Sequence, residues 1–159
     1  MTTQVAGSAV TTSIVVEAGI EHAFSVFTEG MGTWWPETHH ILEGDLKEMI
    51  FEPHVGGHIR DVATDGRECR WARVLTYEPP TRVVFSWDIN LDWHVETDPS
   101  RCSEVEVRFT PEGDERTFVE LEHRHIDRHG QGWERMRDAV GSPGGWSLDR
   151  FAATAQASA

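Results

Sequence analysis

Three segments between residues 82 and 125 alternate apolar and polar side chains, and this period of two decides what the chain can fold into. The stretch RVVFSWDI (82–89) sets Val83, Phe85, Trp87 and Ile89 on one side. SEVEVRFTP (103–111) sets Val105, Val107 and Phe109 opposite Glu104, Glu106 and Arg108. TFVELEHRH (117–125) sets Val119, Leu121, His123 and His125 opposite Phe118, Glu120, Glu122 and Arg124. Successive side chains of a strand point to opposite faces of the sheet. Three strands with one apolar face each therefore demand a cover for that face. By the same period Asp88 is expected to face solvent, while Asp61 is ambiguous.

Upstream, residues 45–53 (DLKEMIFEP), 58–63 (HIRDVA) and 67–78 (RECRWARVLTYE) read as further strands. They are separated by the Val55-Gly56-Gly57 turn and the Asp65-Gly66 hairpin dipeptide, and the last ends at Pro79-Pro80, which cannot continue a ladder. Residues 10–18 (VTTSIVVEA) are rich in β-branched side chains and predict a strand. In the next segment Ile20, Ala23, Phe24 and Phe27 recur at helical spacing, which predicts a short helix over 20–28. Past Gly130 the helical period returns with Trp133, Met136, Arg137 and Val140, then Leu148, Phe151, Ala152 and Ala155. GSPGG at 141–145 interrupts it and predicts a kink or a two-part helix. Residues 1–9 are expected to fray, leaving one domain over 10–155. The order strand, short helix, six strands and a long C-terminal helix gives an α+β fold. A curved antiparallel sheet wraps around the final helix and leaves an internal cavity between them.

Charge narrows the partners. With 14 basic and 27 acidic residues, the net charge is −13, which repels nucleic acid and anionic membrane surfaces. No apolar run is long enough to insert into a bilayer, and the N-terminus lacks a secretory pattern, so a cytoplasmic location is expected. Cys69 and Cys102 are expected to be plain reduced thiols. Histidines are frequent, but His54 and His58 flank Gly56-Gly57, and neither HExxH nor CxxC occurs, so zinc assembled from His39, His40 and His58 is not expected. A GxSxG nucleophile and a phosphate-loop lysine are lacking too. No cofactor is expected.

Seven tryptophans against one tyrosine exceed what a core of this size needs, because each indole N–H wants a partner. Rigid indoles suit the wall of an apolar site. Trp34-Trp35 follows the short helix, and the pair either plugs the fold or borders an opening. The expected wall comprises Trp34, Trp35, Phe51, Trp71, Phe85, Trp87, Phe109, His123, Trp133 and Met136. His123 shares the face of Val119 and Leu121, so it points inward. There it would be a satisfied core histidine, a hydrogen-bonding group for a ligand, or an acid–base group.

The segments FTEGMGTWWPETHHI, FEPHVGGHI, WARVLTYEPPTRVVFSW, VEVRFTP and FVELEHRHI, with the GW…GGW pattern near the end, resemble the START-like (SRPBCC) superfamily. Within it they resemble the activator of Hsp90 ATPase homologue 1-like group. The resemblance implies a helix-grip (START-like, Bet v 1-like) fold with a ligand cavity. Superfamily members bind lipids, hormones or polyketides, and some cyclise or hydrolyse small substrates. The expected function is binding of a small, largely apolar molecule without covalent chemistry. The alternatives are a cyclase, aromatase or hydrolase using His123 as acid–base, and a co-chaperone-like interaction module with a stress-response role. A companion domain ahead of the strand at Val10 is not expected, and neither is a chaperone partner. A homodimer is compatible with all of this.

Overall fold

The period-2 segments become strands where alternation predicts them. The structure, a computed structural model, describes residues 2–159. It contains β1 (Thr2–Ala6), β2 (Ala9–Val16), α1 (Ile20–Phe27), β3 (Leu46–Phe51), β4 (His58–Ala63), β5 (Glu68–Glu78), β6 (Arg82–Trp87), β7 (Ser103–Pro111), β8 (Thr117–Arg124), α2 (Glu134–Val140) and α3 (Leu148–Ala157). The eight strands form one antiparallel sheet in the order β1-β2-β8-β7-β6-β5-β4-β3.

The expectation for the N-terminus needs correction. Residues 2–6 do not fray: they pair with β2, from Thr2 opposite Ser13 to Ala6 opposite Ala9. All five side chains are exposed. Backbone pairing holds this edge, with a hydrogen bond between the Thr3 and Thr12 hydroxyls at 3.0 Å, and neither leaves a burial period in the sequence.

On the inner face, alternation places Val83, Phe85, Val105, Val107, Val119 and Leu121 in the core, each fully buried. The outer face is held by charge. Glu106 accepts from Arg82 Nε and from Arg124 Nη1, at 2.5 Å each. Burial works to raise the Glu106 pKa, but the two guanidinium groups outweigh it and hold the carboxyl below its usual range. Asp88, expected to be exposed, is 6% exposed. Arg73 from β5 reaches over it and grips both carboxylate oxygens, at 3.0 and 3.1 Å. The bidentate pair compensates the loss of hydration.

The C-terminal helix is in two parts. α2 and α3 have seven and ten residues and are separated by the glycine- and proline-rich break. A Cβ on Gly145 would sit 2.2 Å from the Val140 carbonyl oxygen, so only glycine lets the chain double back there. α3 packs on β2 and α1. Arg150 Nε donates to the Trp34 carbonyl at 3.0 Å, and the His22 ring donates to the Ala155 carbonyl at 3.0 Å.

The space under α3 is filled by aromatic rings. Trp34 lies 5.2 Å from Phe27 and 5.5 Å from Phe151, centroid to centroid, and Phe27 lies 5.8 Å from Phe109. Trp34 is fully buried, and its Nε1–H donates to the Val26 carbonyl at 3.0 Å. Of the two roles open to it, Trp34 takes the plug. Trp34→Ala should therefore destabilise the fold by about 3–5 kcal/mol, the usual cost of emptying a large aromatic site. Trp93→Ala, at a side chain 47% exposed, should stay within about 0.5 kcal/mol of the parent. Urea unfolding of the two variants checks both values.

Candidate ligand cleft

Where the helix breaks, the grip opens. A cleft of about 510 Å³ lies between residues 35–43, the hairpin that follows β6, and the 139–146 break. Its walls include Trp35, Trp87, Trp93 and Trp146, with Ile89 and Val140 between them. Each indole is placed by a different local device. Trp35 continues from the short helical turn Met31–Thr33 and donates its Nε1–H to the His39 carbonyl at 3.2 Å. Trp71 stacks behind Trp35 at 5.2 Å and 30°. Trp87 ends β6 on its inward face. Trp93 tops a tight loop in which Asn90 Oδ1 accepts from the backbone of Asp92 and His94, at 2.9 and 3.0 Å. That loop forces Trp93 to a φ of 62°, a left-handed conformation that a bulky residue rarely adopts. Trp146 follows Gly144-Gly145.

Three histidines, His39, His40 and His94, also face the cleft. His40 Nδ1–H donates to Asp61 Oδ2 at 2.7 Å. Asp61 is 1% exposed, and its Oδ1 has no hydrogen-bond partner among the described residues. A buried carboxylate on Nδ1 fixes the tautomer and leaves Nε2 as a proton acceptor. Burial, with His40 and Arg150 nearby, lowers the His39 pKa. Among the described residues no group of three or more His, Cys, Asp or Glu is arranged to hold a metal ion. Burial pushes the thiols of Cys69 and Cys102 up to about 11 and about 12, so neither is a nucleophile near neutral pH.

Of the ten residues expected to line the site, Trp35 and Trp87 do so. Trp34, Phe51, Trp71, Phe85, Phe109 and Met136 are buried in the core. Trp133 sits outside the cleft under the Arg137 guanidinium, 5.1 Å from the ring centre. His123 lies behind the wall, fully buried, 5.1 Å from the Trp87 ring and 5.8 Å from the Trp146 ring. Its Nε2 bonds Ser103 Oγ at 2.8 Å, and the same hydroxyl bonds His129 Nε2 at 2.7 Å. Sequence reasoning missed Trp93, Trp146, His40 and Asp61 as site residues. One signal was present for Asp61. The period of HIRDVA puts it on the inward side with Ile59 and Ala63, a place where a carboxylate needs a reason.

A sheet gripping a split helix, with an indole-walled cleft at the split, defines a helix-grip fold. The family model described as "Activator of Hsp90 ATPase homolog 1-like protein" matches residues 17–154, and the chain belongs to that family. Among solved structures, the chain is similar to the anthrahydroquino-γ-pyrone synthase Txn09, solved in complex with SUM. The two share 39% identity over 92% of this chain and 96% of that one, with a TM-score of 0.67. It is also similar to CalC, a self-sacrificing resistance protein from Micromonospora echinospora, at 25% identity over 94% and 92% of the two chains and a TM-score of 0.65. Protein NE0264 from Nitrosomonas europaea shares the fold, with a TM-score of 0.67 at 10% identity over 95% and 96% of the chains. No curated protein sequence matches the chain. Among the described residues no helix is long and apolar enough to cross a membrane.

The buried histidines make stability depend on pH. Burial first, and His129 second, push the His123 pKa down from 6.5 to about 3. Burial also lowers that of His129. The His123 imidazole is therefore held neutral in the fold and that of His129 is pushed the same way, while the unfolded chain takes up protons as the pH drops through 6.5. The His123 contribution is fully present above pH 6.5 and is lost as the pH falls toward 3, by at most about 1.4 kcal/mol per pH unit for one proton, and His129 acts in the same direction. The urea midpoint should fall between pH 7 and pH 5, with a shallower slope in His123→Gln. Equal slopes in parent and variant would remove His123 from the effect.

Proposed function

We propose that the cleft binds a planar, oxygen-bearing aromatic molecule of the polyketide type, and that His40 moves a proton within it during ring closure. The observation that carries this reading is the cleft-lining His40 held by a buried Asp61 at 2.7 Å. Four indoles around one opening favour a flat guest. The similarity to an anthrahydroquino-γ-pyrone synthase, at 39% identity, supports the same class of ligand.

The chemistry balances without a co-reactant. A phenol or enol hydroxyl of the guest gives its proton to His40 Nε2 as its oxygen attacks an unsaturated carbon of the same molecule. A new C–O bond forms, and the proton returns from Nε2 to the neighbouring carbon. Asp61 stabilises the imidazolium while it carries the proton. The cleft contributes by holding oxygen and carbon in reacting distance.

Binding without chemistry is the second reading, supported by the apolar, indole-lined walls of the cleft. One experiment separates the two. An anthrahydroquinone with an uncyclised unsaturated side chain is the substrate, and fused-ring product is followed by mass spectrometry. His40→Gln and Asp61→Asn should each slow ring closure by about 10²–10⁴-fold, with substrate affinity within about threefold. Binding with no turnover in the parent protein would leave sequestration. Equal turnover in the parent and both variants would remove His40 from the chemistry.

A further inference from the structure

Six side chains have a buried polar atom without a hydrogen-bond partner among the described residues, and three of them touch one another. They are Trp87 Nε1, Trp146 Nε1 and His123 Nδ1. The Trp87 and Trp146 rings lie 5.5 Å apart, and His123 packs against both. Each orphaned donor costs roughly 1–3 kcal/mol unless something satisfies it, and native proteins rarely leave such groups clustered. The contrast within the chain is informative. Trp34 and Trp35 give their indole N–H groups to the carbonyls of Val26 and His39. Trp87 and Trp146, which line the cleft, give theirs to no partner among the described residues.

Resting on the reading of the cleft as an aromatic-ligand site, we propose that its inner end is an oxygen-recognition site, in which the Trp87 and Trp146 Nε1–H groups donate to carbonyl oxygens of the bound ring system. An indole N–H is a donor only, so it selects an acceptor oxygen. It also brings no charge, which suits a neutral quinone or ketone. The second row behind them is adjustable. Ser103 Oγ has a single proton and meets a ring nitrogen on each side, at 2.8 and 2.7 Å. When the hydroxyl donates to one imidazole it accepts from the other. The first ring is then protonated at Nδ1 and the second is bare there. Reversing that hydroxyl exchanges the two states, so His123 can back the indoles as donor or as acceptor. The groups facing His123 are the two indoles, Ser103 and, through Ser103, His129. Among the described residues no carboxylate hydrogen-bonds it.

The test compares two neutral probes of one frame, 2-(hydroxymethyl)anthraquinone and 2-(hydroxymethyl)anthracene, which differ only in the two ring carbonyls. Binding is measured by isothermal titration calorimetry to the full chain and to Trp87→Phe and Trp146→Phe. Phenylalanine keeps an aromatic wall and deletes the donor. The parent should prefer the quinone by about tenfold or more. Each variant should lose about three- to tenfold in quinone affinity, the range of one neutral hydrogen bond, while the hydrocarbon changes less than about twofold. Unchanged hydrocarbon binding also shows that the cleft has kept its shape. If both variants keep the parent's preference, the oxygen site is refuted and the aromatic cleft stands. If neither probe binds the parent protein, the cleft reading itself fails, and this inference with it.

Discussion

The rings of Phe27, Trp34 and Phe151 hold the fold in its working shape. Phe27 comes from α1, Trp34 from the turn after it and Phe151 from α3, and they meet within 5.2–5.5 Å of one another. That contact seats α3 on the sheet and closes one half of the grip. This half is packed with aromatic rings, among them Phe27, Trp34 and Phe151. The opening must then lie at the other half, where the Gly/Pro break turns the chain away. Plug and cleft are two ends of one arrangement, and adjacent residues divide between them. Trp34 points into the packed half and Trp35 into the open one.

The sheet was legible because its period is two and its turns are marked by Asp-Gly, Gly-Gly and Pro-Pro. The split of the last helix was legible in GSPGG. The edge strand β1 was not, because TTQVA is exposed on every side chain and carries no burial pattern. Asp88 misled because its partner, Arg73, sits on the neighbouring strand, and cross-strand pairing cannot be read from one strand's alternation. For the site, the sequence indicated indoles around a space but not which side of the helix that space occupies. Six of the ten expected wall residues are packing residues. A position on the apolar face of a strand says that a side chain is covered, and the cover is as often another side chain as a ligand. His40 and Asp61 stand 21 residues apart. They meet only because β4 brings its inward carboxylate under the loop that follows the short helix.

The cleft joins two kinds of polar group that an apolar core would exclude. One is a hydrogen-bonded pair, His40 with Asp61, suited to moving a proton. The other is a pair of indole donors, at Trp87 and Trp146, without an acceptor among the described residues. The buried cysteines, with their raised pKa values, stand outside this chemistry. The outer face, laced by Arg82, Arg124 and their glutamates, supports the sheet from behind. Each feature follows from where a side chain falls on a strand or a turn.

The most direct measurement is the set of indole ¹H–¹⁵N resonances as an anthraquinone is titrated in. Indole N–H signals report hydrogen bonding at each tryptophan separately. The Trp87 and Trp146 signals should move downfield together as their donors gain a partner, with Trp35 and Trp93 shifting through ring contact. Trp34, already bonded inside the plug, should not move. Movement of Trp34 with Trp87 and Trp146 unchanged would place the guest in the half of the grip described here as filled, and would contradict the account.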